Sequence, residues 1–120
     1  PLSGGGEFTD PDFEMAGSDG PVIPADSHVA VVHPEAHHGA RMLRRGYNFV
    51  DGSNALGGLD AGLFFLAFVR DPETQFLPVQ QAMAKQDALM EYLRFTSSAV
   101  FAVPPGVAGP EDFLGSTLFA

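Results

Sequence analysis

An α+β fold, with an antiparallel sheet and helices on one face, is what this sequence predicts. Three observations carry the prediction. The stretch from Ala61 to Val69 is almost continuously apolar, as in a strand. Between residues 78 and 93, Val79, Ala82, Met83, Leu89, Met90 and Leu93 recur at helical spacing. Gly, Pro, Asp and Ser cluster between these segments as turn signals.

In chain order, residues 1–27 are rich in Gly, Pro and Asp, with isolated Phe8, Phe13 and Met15, and read as a long loop that packs a few aromatics and leads into the domain. The remainder, 28–120, reads as the domain proper. Residues 28–33 are a short apolar stretch stopped by Pro34. The segment from Arg41 to Val50 suits a strand, with Tyr47 and Phe49 on one alternating face and Asp51-Gly52-Ser53-Asn54 as the following turn. Ala61 to Val69 is expected to be the central strand, covered on both faces. Asp71-Pro72 breaks it. The helical stretch from Pro78 to Leu93 is divided by Asp87, a side chain suited to capping a second helix. Ser97 to Val103 reads as a further strand of the same sheet, ended by Pro104-Pro105-Gly106. The tail keeps Phe113, Leu114, Leu118 and Phe119 and is expected to dock. Strand, strand, helix, strand is the order of the latter part of a ferredoxin-like α+β unit.

Composition narrows function. A 45% hydrophobic content requires a core, and no run approaches the roughly 20 apolar residues of a membrane span. A net charge of -9 argues against nucleic-acid binding, which grips phosphate mainly through Lys and Arg. The absence of Cys excludes disulfides, thiolate nucleophiles and thiolate-bound metal. Neither a phosphate-binding Gly loop nor a G-x-S-x-G nucleophile turn occurs. A start of Pro1 before Gly4-Gly5-Gly6, with no initiator Met or apolar leader, is expected for a segment internal to a longer protein.

Against this acidic background, Arg41, Arg44 and Arg45 follow His28, His33, His37 and His38. The arginines read either as a basic edge strand that resists aggregation or as an anion site. Pro34 and Gly39 interrupt any helix that would place His33 and His37 on one face, which favours a His-rich surface loop over a metal site. His28, between Asp26-Ser27 and Val29–Val32, is expected to be buried. By itself it reads as a core histidine. Tyr47 and Tyr92 read as buried structural residues.

Residues 23–80, from IPADSHVAVVHPEAHHGARMLRRGYNF through DAGLFFLAFVRDPETQFLPVQ, and then QDALMEYLRFTSSAVFAVPPGV, are similar to the C-terminal domain of dye-decolourising (DyP-type) haem peroxidases, especially the bacterial exported group that includes deferrochelatases. Motifs agree in order and spacing over nearly the whole chain, through the FLGSTLF tail. The resemblance implies a ferredoxin-like domain of the dimeric α+β-barrel type, with haem b as cofactor. It implies that His28 is the proximal iron ligand and that Asp87 accepts a hydrogen bond from its imidazole. It also implies that Arg44 is the distal catalytic arginine, that Leu63 and Phe65 line the distal pocket, and that Arg45 holds a propionate. Two departures stand out: Ala30 replaces an arginine common after the ligand His-Val pair, and the G-x-x-D-G motif carrying the distal aspartate is absent.

The activity so implied is reduction of hydrogen peroxide with oxidation of dyes or phenols, in partnership with the N-terminal part of the same enzyme. Export and a homo-oligomeric state go with the family. Two other readings stay open: a deferrochelatase-like protein that releases iron from haem, and a non-enzymatic α+β interaction module.

Overall fold

The computed structural model describes residues 2–116 and contains two small antiparallel sheets and three short α-helices. The leading loop holds a minimal hairpin, β1 (Ala16–Gly17) with β2 (Gly20–Pro21). Of its aromatics, Phe13 packs edge-on against His33 at 5.0 Å between ring centroids, while Phe8 is exposed. The one-turn helix α1 (His28–Val31) follows, then a 3-10 turn at Pro34–His37. His38 in the left-handed region (φ 53°) and Gly39 (φ 80°) turn the chain back after it.

The main sheet is one hairpin, β3 (Leu43–Ser53) against β4 (Leu59–Phe68), with Arg44 opposite Ala67, Gly46 opposite Phe65 and Asn48 opposite Leu63. The predicted strands therefore form, but the turn lies later than expected. Asp51 to Ser53 continue β3 past an irregularity that begins after Val50, and Gly52 adopts φ 94° there. The reversal itself is Asn54–Gly58. It is organised by the Asn54 carboxamide oxygen, which accepts the N–H groups of Leu56 and Gly58, each at 3.0 Å.

Asp71 begins α2 (Pro72–Gln75) by accepting the Glu73 N–H at 2.9 Å and the Thr74 hydroxyl at 2.8 Å; α3 (Leu77–Gln86) follows at once. Gln75 then joins these helices to the base of the hairpin. Its amide nitrogen donates to the Arg41 carbonyl at 3.0 Å, and its oxygen accepts the N–H groups of Arg70 and Asp71. Asp87 closes α3 and caps a 3-10 turn at Ala88–Glu91, so the expected second helix exists in tighter form.

Several expectations fail, and for one reason. The radius of gyration is 19.2 Å, against about 14 Å for a compact domain of this length, and the buried apolar side chains among the described residues are Ile23, Val31 and Val79. Among the described residues nothing stacks on the β3–β4 hairpin to cover both faces, and Leu63, Phe64 and Phe65 of the supposed central strand are about half exposed. Residues 97–103 do not form a strand. They have no ladder partner among the described residues, and Val100 and Phe101 are exposed. Tyr47 and Tyr92 are likewise exposed, not buried. Phe113 and Leu114 are undocked, while Leu118 and Phe119 lie outside the described residues.

Candidate functional site

One ion-paired hydrogen bond joins segments 59 residues apart. His28 Nδ1–H donates to the Asp87 carboxylate at 2.6 Å. The pair is asymmetric: the Asp87 side chain is fully buried, whereas 40% of the His28 side chain is exposed. The expectation of a buried His28 is thus corrected: Asp87, not His28, is the buried member of the pair.

Each oxygen of Asp87 has its own donor, Oδ2 from His28 and Oδ1 from the Leu89 N–H at 2.9 Å. No buried side-chain nitrogen or oxygen lacks a partner among the described residues. The next N–H, that of Ala88, donates to the Asp26 carbonyl at 2.9 Å, which fastens the end of α3 beside the start of α1. A four-residue helix has little stability of its own, so these long-range bonds hold α1 in place. A carboxylate only accepts hydrogen bonds, so it fixes the imidazole proton on Nδ1 and leaves the Nε2 lone pair available to a ligand.

The other histidines do different work. The His37 Nε2–H donates to the Val31 carbonyl at 2.7 Å, His33 packs on Phe13, and His38 is exposed. No group of three or more His, Asp or Glu among the described residues is arranged to hold a metal ion.

Arg44, Leu63 and Phe65 come together on one face of the hairpin. Opposed residues share a face and successive residues alternate, so Arg44, Gly46 and Asn48 lie on the side of Ala67, Phe65 and Leu63. Leu63 lies over Gly46; a Cβ at that position would stand 3.0 Å from Leu63 Cδ1. Arg45 points to the opposite face, with Tyr47, Phe49, Phe64 and Leu66. The single ion pair among the described residues is His28–Asp87, so neither arginine is neutralised by a carboxylate there. Among the described residues no hydrogen bond links the hairpin group to the His28–Asp87 group.

Sequence reasoning missed His37 as a partner of α1 and Gln75 as the tether between helices and hairpin. A signal for the first was present in the left-handed turn implied by His38-Gly39.

The described residues thus hold two separate groups, a histidine bonded to a buried carboxylate and a hairpin face combining arginine with apolar residues. The family profile described as Dyp-type peroxidase, C-terminal, matches residues 5–108, and the chain belongs to that family. Among curated relatives it is 48% identical over 99 residues to the dye-decolorizing peroxidase of Thermobifida fusca, covering 82% of this chain and 23% of that protein. It is 36% identical over 120 residues to the deferrochelatase of Escherichia coli K12, covering 98% of this chain and 28% of that protein. Among solved structures it resembles the X-ray generated oxyferrous complex of DtpA from Streptomyces lividans, with a TM-score of 0.90 at 38% identity. That match covers all of this chain and 33% of the other. A DyP-type peroxidase from Streptomyces coelicolor gives a TM-score of 0.91 with the same identity and coverage. The chain thus spans about a quarter of its curated relatives and a third of these solved chains.

Proposed function

We propose that this chain is the haem-binding C-terminal part of a DyP-type peroxidase that reduces hydrogen peroxide while oxidising dyes or phenols. The observation that carries the proposal is the 2.6 Å bond from His28 to the buried Asp87. It prepares one imidazole nitrogen as a ligand and makes that ligand more electron-rich. Haem b, when bound, supplies the iron at which peroxide is reduced and through which electrons from an organic reductant arrive.

The residues of this chain divide the remaining work. His28 would hold the iron through Nε2, with Asp87 keeping the proton on Nδ1. Arg44 offers a fixed positive charge to the oxygen that gains negative charge as the peroxide bond breaks. It cannot be an iron ligand, because a guanidinium stays protonated and only donates. Leu63 and Phe65, about half exposed in this chain, would exclude water around it once the hairpin face is covered, which would strengthen that charge. Arg45, on the other face, holds a propionate. The proton-transferring aspartate of the family belongs to the N-terminal part, our proposed partner. That part, together with a second subunit, would cover the apolar hairpin faces and pair with residues 97–103. We also propose the division into a loop at 1–27 and a haem-binding part at 28–120, and export from the cell.

The test is haem binding by the complete polypeptide. His28→Ala should abolish imidazole ligation, while His33→Ala and His38→Ala keep the parent Soret spectrum. Loss of ligation in either of the latter two would transfer the ligand role and end the assignment. The deferrochelatases favour a second reading, since they match over nearly all of this chain. Iron release from bound haem in the absence of peroxide would support it, and peroxide turnover without iron release would remove it. Membership of a peroxidase family leaves the interaction-module reading without support.

A further inference from the structure

We infer that His37 is a positioning residue for His28, acting through the carbonyl that ends α1. The importance of the effect rests on the ligand role proposed for His28; the hydrogen bond itself does not.

The argument begins with backbone accounting. The last carbonyls of a helix lack intrahelical donors and need partners from outside. In the one-turn helix α1, Ser27 O accepts from Ala30 and Val31, His28 O from Val32 and Ala30 O from His33, but no backbone N–H among the described residues reaches Val31 O. The sequence explains the gap. The donor that would close a tighter turn on Val31 belongs to residue 34, and Pro34 has no N–H. Val31 is also one of the few buried residues, at 6% exposure, so an unpaired carbonyl there would be costly.

The His37 side chain supplies the missing donor. Pro34–His37 form a 3-10 turn, the Gly39 N–H returns to the Pro34 carbonyl at 2.8 Å, and His38-Gly39 reverse the chain with positive φ. The ring of His37 is thereby brought back against the end of α1, where Nε2–H donates to Val31 O at 2.7 Å, partly buried. Helix α1 is thus held at both ends, by Asp87 through the His28 ring and by His37 through the final carbonyl. So short a helix has too few internal bonds to keep its orientation with one end free. Loss of the second clamp lets the end of α1 shift, which loosens the His28 Nδ1–H bond to Asp87 and changes the aim of Nε2 while the identity of the ligand stays the same.

The experiment compares His37→Leu, which keeps bulk without a donor, with His37→Gln, which restores an N–H donor. Both are made in the complete polypeptide, labelled with 15N-histidine. In the haem-free protein, the slowly exchanging Nδ1–H signal of His28, assigned with His28→Ala, should be lost in His37→Leu and recovered in His37→Gln, with amide dispersion unchanged. After haem loading, the ferric electron paramagnetic resonance spectrum should show a changed axial-ligand orientation in the Leu variant only. Retention of the His28 signal in His37→Leu overturns the inference, as does failure of Gln to restore it. Failure of the Leu variant to fold would assign His37 to general stability and also overturns it. If haem stays imidazole-bound in His28→Ala, the proposed function fails, whereas the haem-free comparison still decides the role of His37.

Discussion

Replacing Asp87 with Asn removes a charge and almost no volume, yet the geometry around it makes the substitution severe. One oxygen accepts from the Leu89 N–H and the other from His28 Nδ1–H, and the side chain is fully buried. An asparagine offers one acceptor and one donor group. If its oxygen keeps the Leu89 cap, its NH2 faces Nδ1, and the imidazole proton must move to Nε2, the nitrogen that the proposed function assigns to iron. If it flips, the NH2 opposes the Leu89 N–H, a buried donor is left unpaired, and about 1–3 kcal/mol of stability is lost. The first arrangement retains the cap and should dominate. We therefore expect Asp87→Asn to lose only about 1 kcal/mol in urea denaturation, since one hydrogen bond is exchanged for another. Haem affinity should fall about 10- to 100-fold, as for other partners of metal-ligating histidines. Spectrophotometric haem titration gives the affinity, and 15N chemical shifts of labelled histidine give the tautomer. Parent affinity with the proton still on Nδ1 would refute the reasoning, because Asp87 would then not govern the tautomer.

Other perturbations separate the remaining elements. Arg44→Leu should leave haem content intact and slow the reaction with hydrogen peroxide by about 100- to 1000-fold in stopped-flow measurement, with Arg45→Leu much less affected at that step. The reverse result would move the distal role one residue along the chain. Gly62→Ala places a Cβ 2.7 Å from the Phe49 ring; because Phe49 is partly exposed and able to shift, the cost should be about 1 kcal/mol in urea denaturation. A cost near zero would mean that Phe49 does not rest on Gly62 in solution. Hydrogen bonds from the Thr74 hydroxyl and the Glu73 N–H hold the Asp71 carboxyl below the usual range. Its cap on α2 should therefore be complete above the unfolded carboxyl value and disappear as pH falls through the lower folded value. A Glu73 amide shift that titrates at the unfolded value would contradict this. The 120-residue chain alone, lacking the family's distal aspartate, should show little peroxidase activity, and efficient turnover without a second polypeptide would disprove that dependence.

Much of the local structure was legible because it depends on near neighbours. Alternation from Leu43 and the apolar run ending at Phe68 specify two strands, Asp71-Pro72 starts a helix, and Asp87 caps the turn after α3, all through interactions within a few residues. Spacing also placed Leu63 and Phe65 on one face, and motif resemblance selected His28 and Asp87 from four histidines and fifteen acidic residues. Burial was not legible. An apolar run such as AGLFFLAFV states that cover is needed without stating what provides it, and the described residues do not supply that cover, so Leu63, Phe64 and Phe65 are about half exposed. Residues 97–103 have strand composition, but a strand also requires a partner edge. Only the tertiary structure decided that the end of α3 lies beside the start of α1, giving His28 a carboxylate 59 residues away. It alone set the β3–β4 register that puts Arg44, not Arg45, beside Leu63 and Phe65, since a slip of one residue would exchange the two arginines. The sequence by itself determined which side chains carry chemistry. Their pairing depended on contacts between distant segments, which no local pattern encodes.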